Sequence, residues 1–312
     1  GDVYKRQLRD WFAGFGMRSV VERGDRAFPE SYRASDVVDT LVNACNSLGV
    51  KIVCEAEVES VKPGFTLALS DGSVWNCRTL ILATGGLSYP GTGSSGDGLR
   101  WAEELGHKIE PTFPSLTALV PRGYKLVEGK GLHIDRSTAL SPLGEKLCGV
   151  HLKNISLSLE IGGTDAGTEF GDIDFTDGGL EGPLGFQLSR KAVKSMLNGA
   201  RVSLSLDLKP GVSLTELTER VGQLWKDVDK DPRSVRLREK EKCRILLGKL
   251  MPWDLIPAFV EMNPGIMTLE RRSRTDTKLW VNLPTIAKAL KSWRFDIAGF
   301  VGYERAVVTA GG

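Results

Sequence analysis

Apolar positions recur along this chain with several spacings, and each spacing predicts a different kind of element. Over 36–48, Val37, Leu41, Ala44, Cys45 and Leu48 fall on one face of a helix that Ser35 can cap and Gly49 can stop. Residues 50–54 then read as a short strand, and further strands are predicted at 57–61, 65–70 and 73–78. Asp71 and Gly72, between the last two, are a hairpin signal. Together these segments predict a β-meander. Leu80, Ile81, Leu82 and Ala83 form an unbroken apolar run, the pattern of a parallel strand buried on both faces. A helix over 97–105 follows, with Leu99, Trp101, Ala102 and Leu105 apolar and Gly106 at its end.

The spacing changes beyond Pro111, Thr112, Phe113 and Pro114. Residues 155–161 alternate strictly between apolar and polar, and so do 202–208. Such alternation means one buried and one wet face, hence an antiparallel sheet or barrel. A helix at 189–197 lies between them. From Ser213 a helical spacing takes over: Ser213 and Glu216 make a capping box, and Leu214, Leu217, Val221, Leu224 and Val228 follow. Helices at 236–250 and 284–291 and strands at 295–297 and 306–309 complete the pattern. The predicted divisions are 8–112, 113–212, 213–293 and 294–312. Residues 1–7 carry no periodicity that joins them to Leu8 and read as a non-native artefact. Residues 307–312 read as a buried strand running into a glycine turn. The chain is therefore expected to be a fragment, open at both ends.

Composition narrows the class. A chain of 312 residues is long enough for about two domains. Charge is 26% of residues and nearly balanced at +2, which excludes wholesale disorder and gives no general pull toward nucleic acid or acidic membranes. No run approaches the ~18 apolar residues of a membrane span. Cys45, Cys54, Cys77, Cys148 and Cys243 are scattered and contain no CxxC, which suits free thiols in a reducing, cytoplasmic setting and disfavours both a redox disulfide and a zinc site. His107, His133 and His151 have no metal-ligand spacing, so no metal is expected. Glycine is in excess, at 36 residues, and is crowded between Gly85 and Gly98.

That crowded stretch, 83–98 (ATGGLSYPGTGSSGDG), leaves the end of the apolar run and enters a helix. In open α/β sheets, ligands bind in the crevice at such strand ends. Glycines let the backbone come within contact of a ligand, and successive amides can form an anion-binding nest. The same residues also read as a glycine-rich surface loop with no ligand. No Walker loop follows, and no GxGxxG opens a first βα unit.

Five segments together resemble one family. They are FPES at 28–31 with ASDVV at 34–38, the loop 83–98, PSL at 114–116, FTDGGLEGP at 175–183 and AVVTAGG at 306–312. They are similar to the FAD-binding flavoproteins known as aminoacetone-oxidase-like or NAD(P)/FAD-dependent oxidoreductases. That group belongs to the two-dinucleotide-binding-domain flavoproteins and includes relatives of bile-acid-type enone reductases. The resemblance runs over essentially 8–312. It implies an α/β fold, α+β overall: a partial Rossmann-like FAD domain with its β-meander, an inserted antiparallel β-barrel-like domain and a small helical subdomain, with 294–312 returning toward the FAD domain. The family's opening GxGxxG and its flavin-closing segment are not in the sequence, so the fragment is expected to be inactive alone and to bind FAD poorly.

For the intact protein, the resemblance implies hydride transfer through FAD, with NAD(P)H or O2 as co-substrate and a small organic substrate. No nucleic-acid or membrane partner is expected. The alternative is a non-catalytic or RNA-associated flavoprotein, for which the basic stretch 230–249 would hold the partner. On the cofactor side, Val58 would present backbone to the adenine. Ala83, Thr84, Gly85 and Gly86 would line the dinucleotide, and Ser88, Gly93, Gly96 and Asp97 would extend that wall toward the flavin. Asp97 reads equally as a helix N-cap. Thr176 and Glu181 are the substrate-side candidates, and a barrel turn is the plainer reading of both. Arg33 reads as a surface arginine, Glu304 and Arg305 as an ion pair, and the basic run 271–274 as a solvated loop.

Overall fold

A computed structural model describes residues 2–22, 26–127, 129, 131–271 and 277–312. The chain divides into two compact units, 1–82 and 83–312.

The first unit opens with helix α1, Asp2–Gly14, followed by the hairpin β1, Ser19–Glu22, and β2, Arg26–Pro29. Helix α1 runs unbroken through the point where a boundary at Leu8 was expected, so residues 2–7 continue into the chain behind them. Helix α2, Ala34–Ser47, begins before its predicted cap: Ser35 lies inside it, and Arg33 stands at the N-cap without a side-chain cap. Of its predicted apolar face only Ala44 is buried, while Leu41 and Leu48 are exposed. The meander forms as predicted, with β3, Val58–Lys62, β4, Thr66–Leu69, and β5, Val74–Asn76, in antiparallel order. Asp71 accepts from the Ser73 amide, and Gly72 has φ +81°, which sets the hairpin turn.

Two predicted strands do not form. Neither 50–54 nor 80–83 enters a ladder, and Ile81 is 84% exposed. An apolar run supplies side chains for burial, but a strand also needs a neighbour for its amides and carbonyls, and no described strand lies beside either segment.

The second unit is built on a closed barrel. After α3, Asp97–Glu104, come β6, Phe113–Ser115, β7, Leu119–Pro121, α4, Pro142–Leu147, β8, His151–Ile161, β9, Thr164–Thr176, and β10, Gly179–Glu181. Helix α5, Gly182–Leu197, and β11, Val202–Asp207, follow. Then come α6, Leu214–Lys230, α7, Glu239–Gly248, α8, Ile256–Met262, the hairpin β12, Met267–Arg271, with β13, Thr277–Val281, and α9, Leu283–Lys291. The chain ends with β14, Trp293–Phe300, and β15, Val308–Ala310. The barrel order is β10-β7-β14-β11-β8-β9.

The alternation seen in the sequence sets its register. Leu157 pairs with Leu206 and Leu159 with Leu204, all four fully buried, while Ser156 and Ser158 face out beside Asp207 and Ser205. Strand β14 belongs to this barrel rather than to a returning segment that starts at 294. Its Trp293, Phe295 and Ile297 are buried, and Arg294 and Asp296 point outward and pair with each other at 3.2 Å. Inside, Trp293 meets Phe295 at 4.8 Å and Phe259 of α8 at 5.2 Å between ring centroids. One apolar core therefore runs through the barrel and the helices at 214–291. The Ser213–Glu216 capping box forms as predicted at the start of α6. No helix among the described residues is long and apolar enough to cross a membrane.

Candidate functional site

The glycine-rich loop closes on itself before it meets anything else. Gly98, in the first turn of α3, is buried because Thr84 Oγ1 occupies the place a Cβ would take. Gly96 has φ +83° and sits against Leu87 in the same way. Gly86 faces β15: a Cβ there would stand 2.5 Å from Thr309 Oγ1 and 2.6 Å from Thr309 Cβ. Thr309 Oγ1 accepts the amides of Leu87 at 2.8 Å and Ser88 at 3.1 Å, and shares a hydrogen bond with Ser88 Oγ at 3.1 Å. Two successive amides thus converge on one hydroxyl, a nest of the kind that binds anions. Beside it lies a hollow of about 410 Å³, lined by the backbone of Gly85 and Gly86 and by Ser88, Ser94 and Thr309. That volume is within the ~300–1,000 Å³ of small-molecule sites.

The close approach expected of a dinucleotide at Gly86 is therefore made by Thr309. Gly93 has open space where a side chain would go, and Ala83 and Thr84 are exposed. Gly91, Gly93 and Gly96 do stand at GxGxxG spacing ahead of α3, a pattern that sequence reading passed over. Gly91 lies inside a short 3-10 turn, Pro90–Thr92, and no strand leads into the three glycines. Asp97 is not the N-cap of α3; Gly96 is. The Asp97 carboxylate instead takes hydrogen bonds from Ser95 and from Arg100 at 2.9 Å, and both hold its pKa below the usual range. Val58 lies in the first unit, paired with Leu69 in the meander. The returning strand is less buried than its sequence suggests. Val307 and Val308 are 47% and 43% exposed, and β15 pairs with β6 through Thr309 opposite Pro114.

The second candidate region lies at the turn between β9 and β10. Thr176 Oγ1 accepts the Gly178 amide at 3.0 Å, and the Thr176 carbonyl accepts from the Tyr124 hydroxyl at 2.7 Å. The Thr176 hydroxyl also lies beside Glu181 and favours its charged form. Arg136 joins this turn from the segment after β7. Its Nη1 donates to Glu181 at 3.1 Å, and its Nε and Nη2 grip Asp177 on both oxygens. The two carboxyls diverge on this one guanidinium. Asp177, at the edge, is held low by the bidentate hydrogen bond. Glu181, with its side chain only 15% exposed, is raised by burial despite Arg136. Pairs pushed apart in this way are what acid–base chemistry uses.

Two more features belong here. Lys125 is 5% exposed and donates from Nζ to the carbonyls of Arg136 at 2.6 Å and Thr138 at 2.8 Å; burial pulls its pKa down. Tyr89 of the glycine loop is close enough to act on the charge of Arg136, and its amide donates to the Tyr303 carbonyl at 2.9 Å. The structure thus brings Thr176 and Glu181 together. Sequence reasoning missed Tyr124, Lys125, Arg136 and Thr309. Tyr124, Lys125 and Arg136 sit in none of the segments singled out above; Thr309 sits in AVVTAGG but reaches Ser88 across 221 positions.

Other candidates resolve into ordinary roles. Arg33 faces Asp36 at 3.8 Å on the surface. Glu304 pairs with His133 at 3.3 Å, not with Arg305, whose charge acts on Asp177. In the basic stretch 230–249, Lys242 is bonded to Asp229 at 2.6 Å and Arg238 to Glu241 at 3.0 Å. The basic run 271–274 lies outside the described residues except for the backbone of Arg271.

The chain is similar to several known proteins, among them the following three. The chain is 25% identical over 306 residues to a 3-dehydro-bile acid delta(4,6)-reductase of Clostridium scindens, covering 97% of this chain and 66% of that protein. It is 28% identical over 286 residues to a ribosomal RNA dihydrouridine synthase of Haemophilus influenzae, covering 89% and 60%. It is 29% identical over 287 residues to the protein of that name in Escherichia coli, covering 89% and 59%. The chain thus spans about two thirds or less of the length of these relatives. None of the three is named for aminoacetone oxidation. A family model matches residues 3–312, including most of the seven residues set apart above, and it gives no support to an inactive fragment. By that match the chain belongs to the HI0933-like protein Rossmann domain family.

Proposed function

We propose that the intact protein is a cytoplasmic FAD-dependent oxidoreductase, with NAD(P)H as the hydride donor, that reduces a carbon–carbon double bond conjugated to a carbonyl. The observation that carries this reading is the clamp of Thr309 on the amides of Leu87 and Ser88, beside the hollow of about 410 Å³. The residues there fit part of such a cofactor. Glycine backbone at 85 and 86 and hydroxyls on Ser88, Ser94 and Thr309 are the donor set that suits phosphate and polyol oxygens, and Gly93 leaves space free of side chain. When bound, the flavin supplies the hydride-carrying ring.

The chain's own residues do the rest. The loop backbone and its hydroxyls bind and orient. Glu181, raised by burial, holds a proton at its carboxyl into a higher pH range than an exposed glutamate. Arg136 fixes that carboxyl at 3.1 Å, and Thr176 braces the turn. The names of the relatives support a reduction, since a delta(4,6)-reductase and a dihydrouridine synthase both add hydrogen across a double bond.

Titration of FAD into the intact protein, followed by flavin fluorescence and with each variant's fold checked by circular dichroism, tests the binding half. The expected result is saturable quenching that Gly86→Val weakens at least tenfold. Absence of saturable quenching, or equal quenching by the variant, overturns it. The two dihydrouridine synthase relatives favour a second reading, in which the reduced group is a uracil base in RNA. Flavin reoxidation by a uridine-containing RNA but not by a steroid enone would select that reading, and the reverse result would select a small-molecule substrate.

A further inference from the structure

A second hollow, of about 310 Å³, opens where β8 begins and β11 ends. Its floor is apolar: Leu152, Leu250, Met251 and Leu255 are all buried there. Its rim carries Lys153 and Lys209, with the His151 ring beside them. The backbone of Lys209 is pinned on both sides, because its amide donates to Asp207 at 2.8 Å and its carbonyl accepts from Lys291 Nζ at 3.0 Å.

The ammonium of Lys209 is in a different position. It is half-buried, and among the described residues no carboxylate or carbonyl accepts from it. The nearby acids are engaged elsewhere: Asp207 pairs with Lys291 at 2.5 Å, and Asp174 pairs with His151 at 2.7 Å. Arg220 adds a like charge, and burial together with Arg220 pulls the Lys209 pKa down. Lys153, exposed on the same rim, also has no described partner. A desolvated ammonium without a counter-charge is unfavourable, and an anion arriving from solvent would remove that penalty.

We propose that this hollow is a second small-molecule site that takes an amphipathic carboxylate, with its head on Lys209 and its apolar body against Leu152, Met251 and Leu255. A phosphate head fits less well. The Asp174 carboxylate stands next to the rim on His151 and repels a phosphate dianion more than a carboxylate monoanion. The inference does not depend on the flavin reading.

Octanoate, octyl phosphate and 1-octanol titrated into the full chain test it, with binding followed by calorimetry and by the Met251 methyl signal in NMR. Octanoate is expected to bind saturably and to shift Met251. Lys209→Met, with its fold checked by circular dichroism, is expected to weaken octanoate about tenfold or more, the scale of one charge-assisted hydrogen bond. 1-Octanol is expected to bind wild type at least tenfold more weakly than octanoate. Octanoate that leaves Met251 unmoved, octanol that equals octanoate, or a folded Lys209→Met that retains wild-type affinity would each overturn the site. Octyl phosphate binding more tightly than octanoate would overturn the carboxylate assignment. The octanol comparison needs only wild-type protein and decides the matter if Lys209→Met does not fold.

Discussion

Replacing Gly86 with alanine adds one methyl group, and the structure says what that methyl meets. Its position is 2.5 Å from Thr309 Oγ1 and 2.6 Å from Thr309 Cβ. Thr309 cannot retreat freely, because Val308, Thr309 and Ala310 are paired with Ser115, Pro114 and Phe113. The clash therefore breaks the three hydrogen bonds on Thr309 Oγ1, at about 1 kcal/mol each net if all are lost, or strains the loop by an overpacking cost of ~1–3 kcal/mol. The expected loss is about 2–4 kcal/mol. At ~2–4 °C per kcal/mol for a unit of this size, the melting temperature falls by roughly 5–15 °C. Thermal unfolding followed by circular dichroism measures it. Thr309→Ala would not relieve the contact, since Cβ itself is too close, but Thr309→Gly would. In a double-mutant cycle, Gly86→Ala with Thr309→Gly should cost at least ~1 kcal/mol less than the sum of the two single changes. Additivity within ~0.5 kcal/mol would refute the argument that Gly86 is glycine because of Thr309.

Three further outcomes follow from the polar groups. Asp177 is held low by Arg136, so the pair contributes stability that is fully present above the unfolded carboxylate pKa of ~3.9 and is lost as pH falls through the lower folded value. Because Asp177 is more than half exposed, Asp177→Asn should cost no more than ~1 kcal/mol near neutrality and nothing in strong acid, as read by urea unfolding at several pH values. Glu181 carries the opposite sign: its raised folded pKa favours folding below the unfolded value and loses that contribution as pH rises through the folded one, so Glu181→Gln should flatten the profile on the alkaline side of ~4.3. Ser213→Ala removes the side-chain half of the capping box on α6 and should lower stability by about 1 kcal/mol; an unchanged urea midpoint would show that this helix start is held by packing alone.

What the sequence determined by itself was local. Period-2 alternation placed β8 and β11, because a strand with one wet face must write its burial into every second residue. Ser213 with Glu216, and Asp71 with Gly72, marked a helix start and a turn because those hydrogen bonds close within three residues. The loop 83–98 stood out as a candidate from its glycines, with a ligand-free surface loop as the other reading. Tertiary structure decided the rest. Whether Leu80, Ile81, Leu82 and Ala83 form a strand depends on a neighbour, which the run itself does not encode. That β14 closes the barrel, and that its core continues into the helices at 214–291, depends on which faces meet. Gly86 is explained by Thr309 and the lowered pKa of Asp177 by Arg136, contacts that span 223 and about 40 positions, while burial raises Glu181 against the same guanidinium. Close packing and charge act through space at a few ångströms, so the residues that shape a site carry no mark of it in their own neighbourhood of the chain.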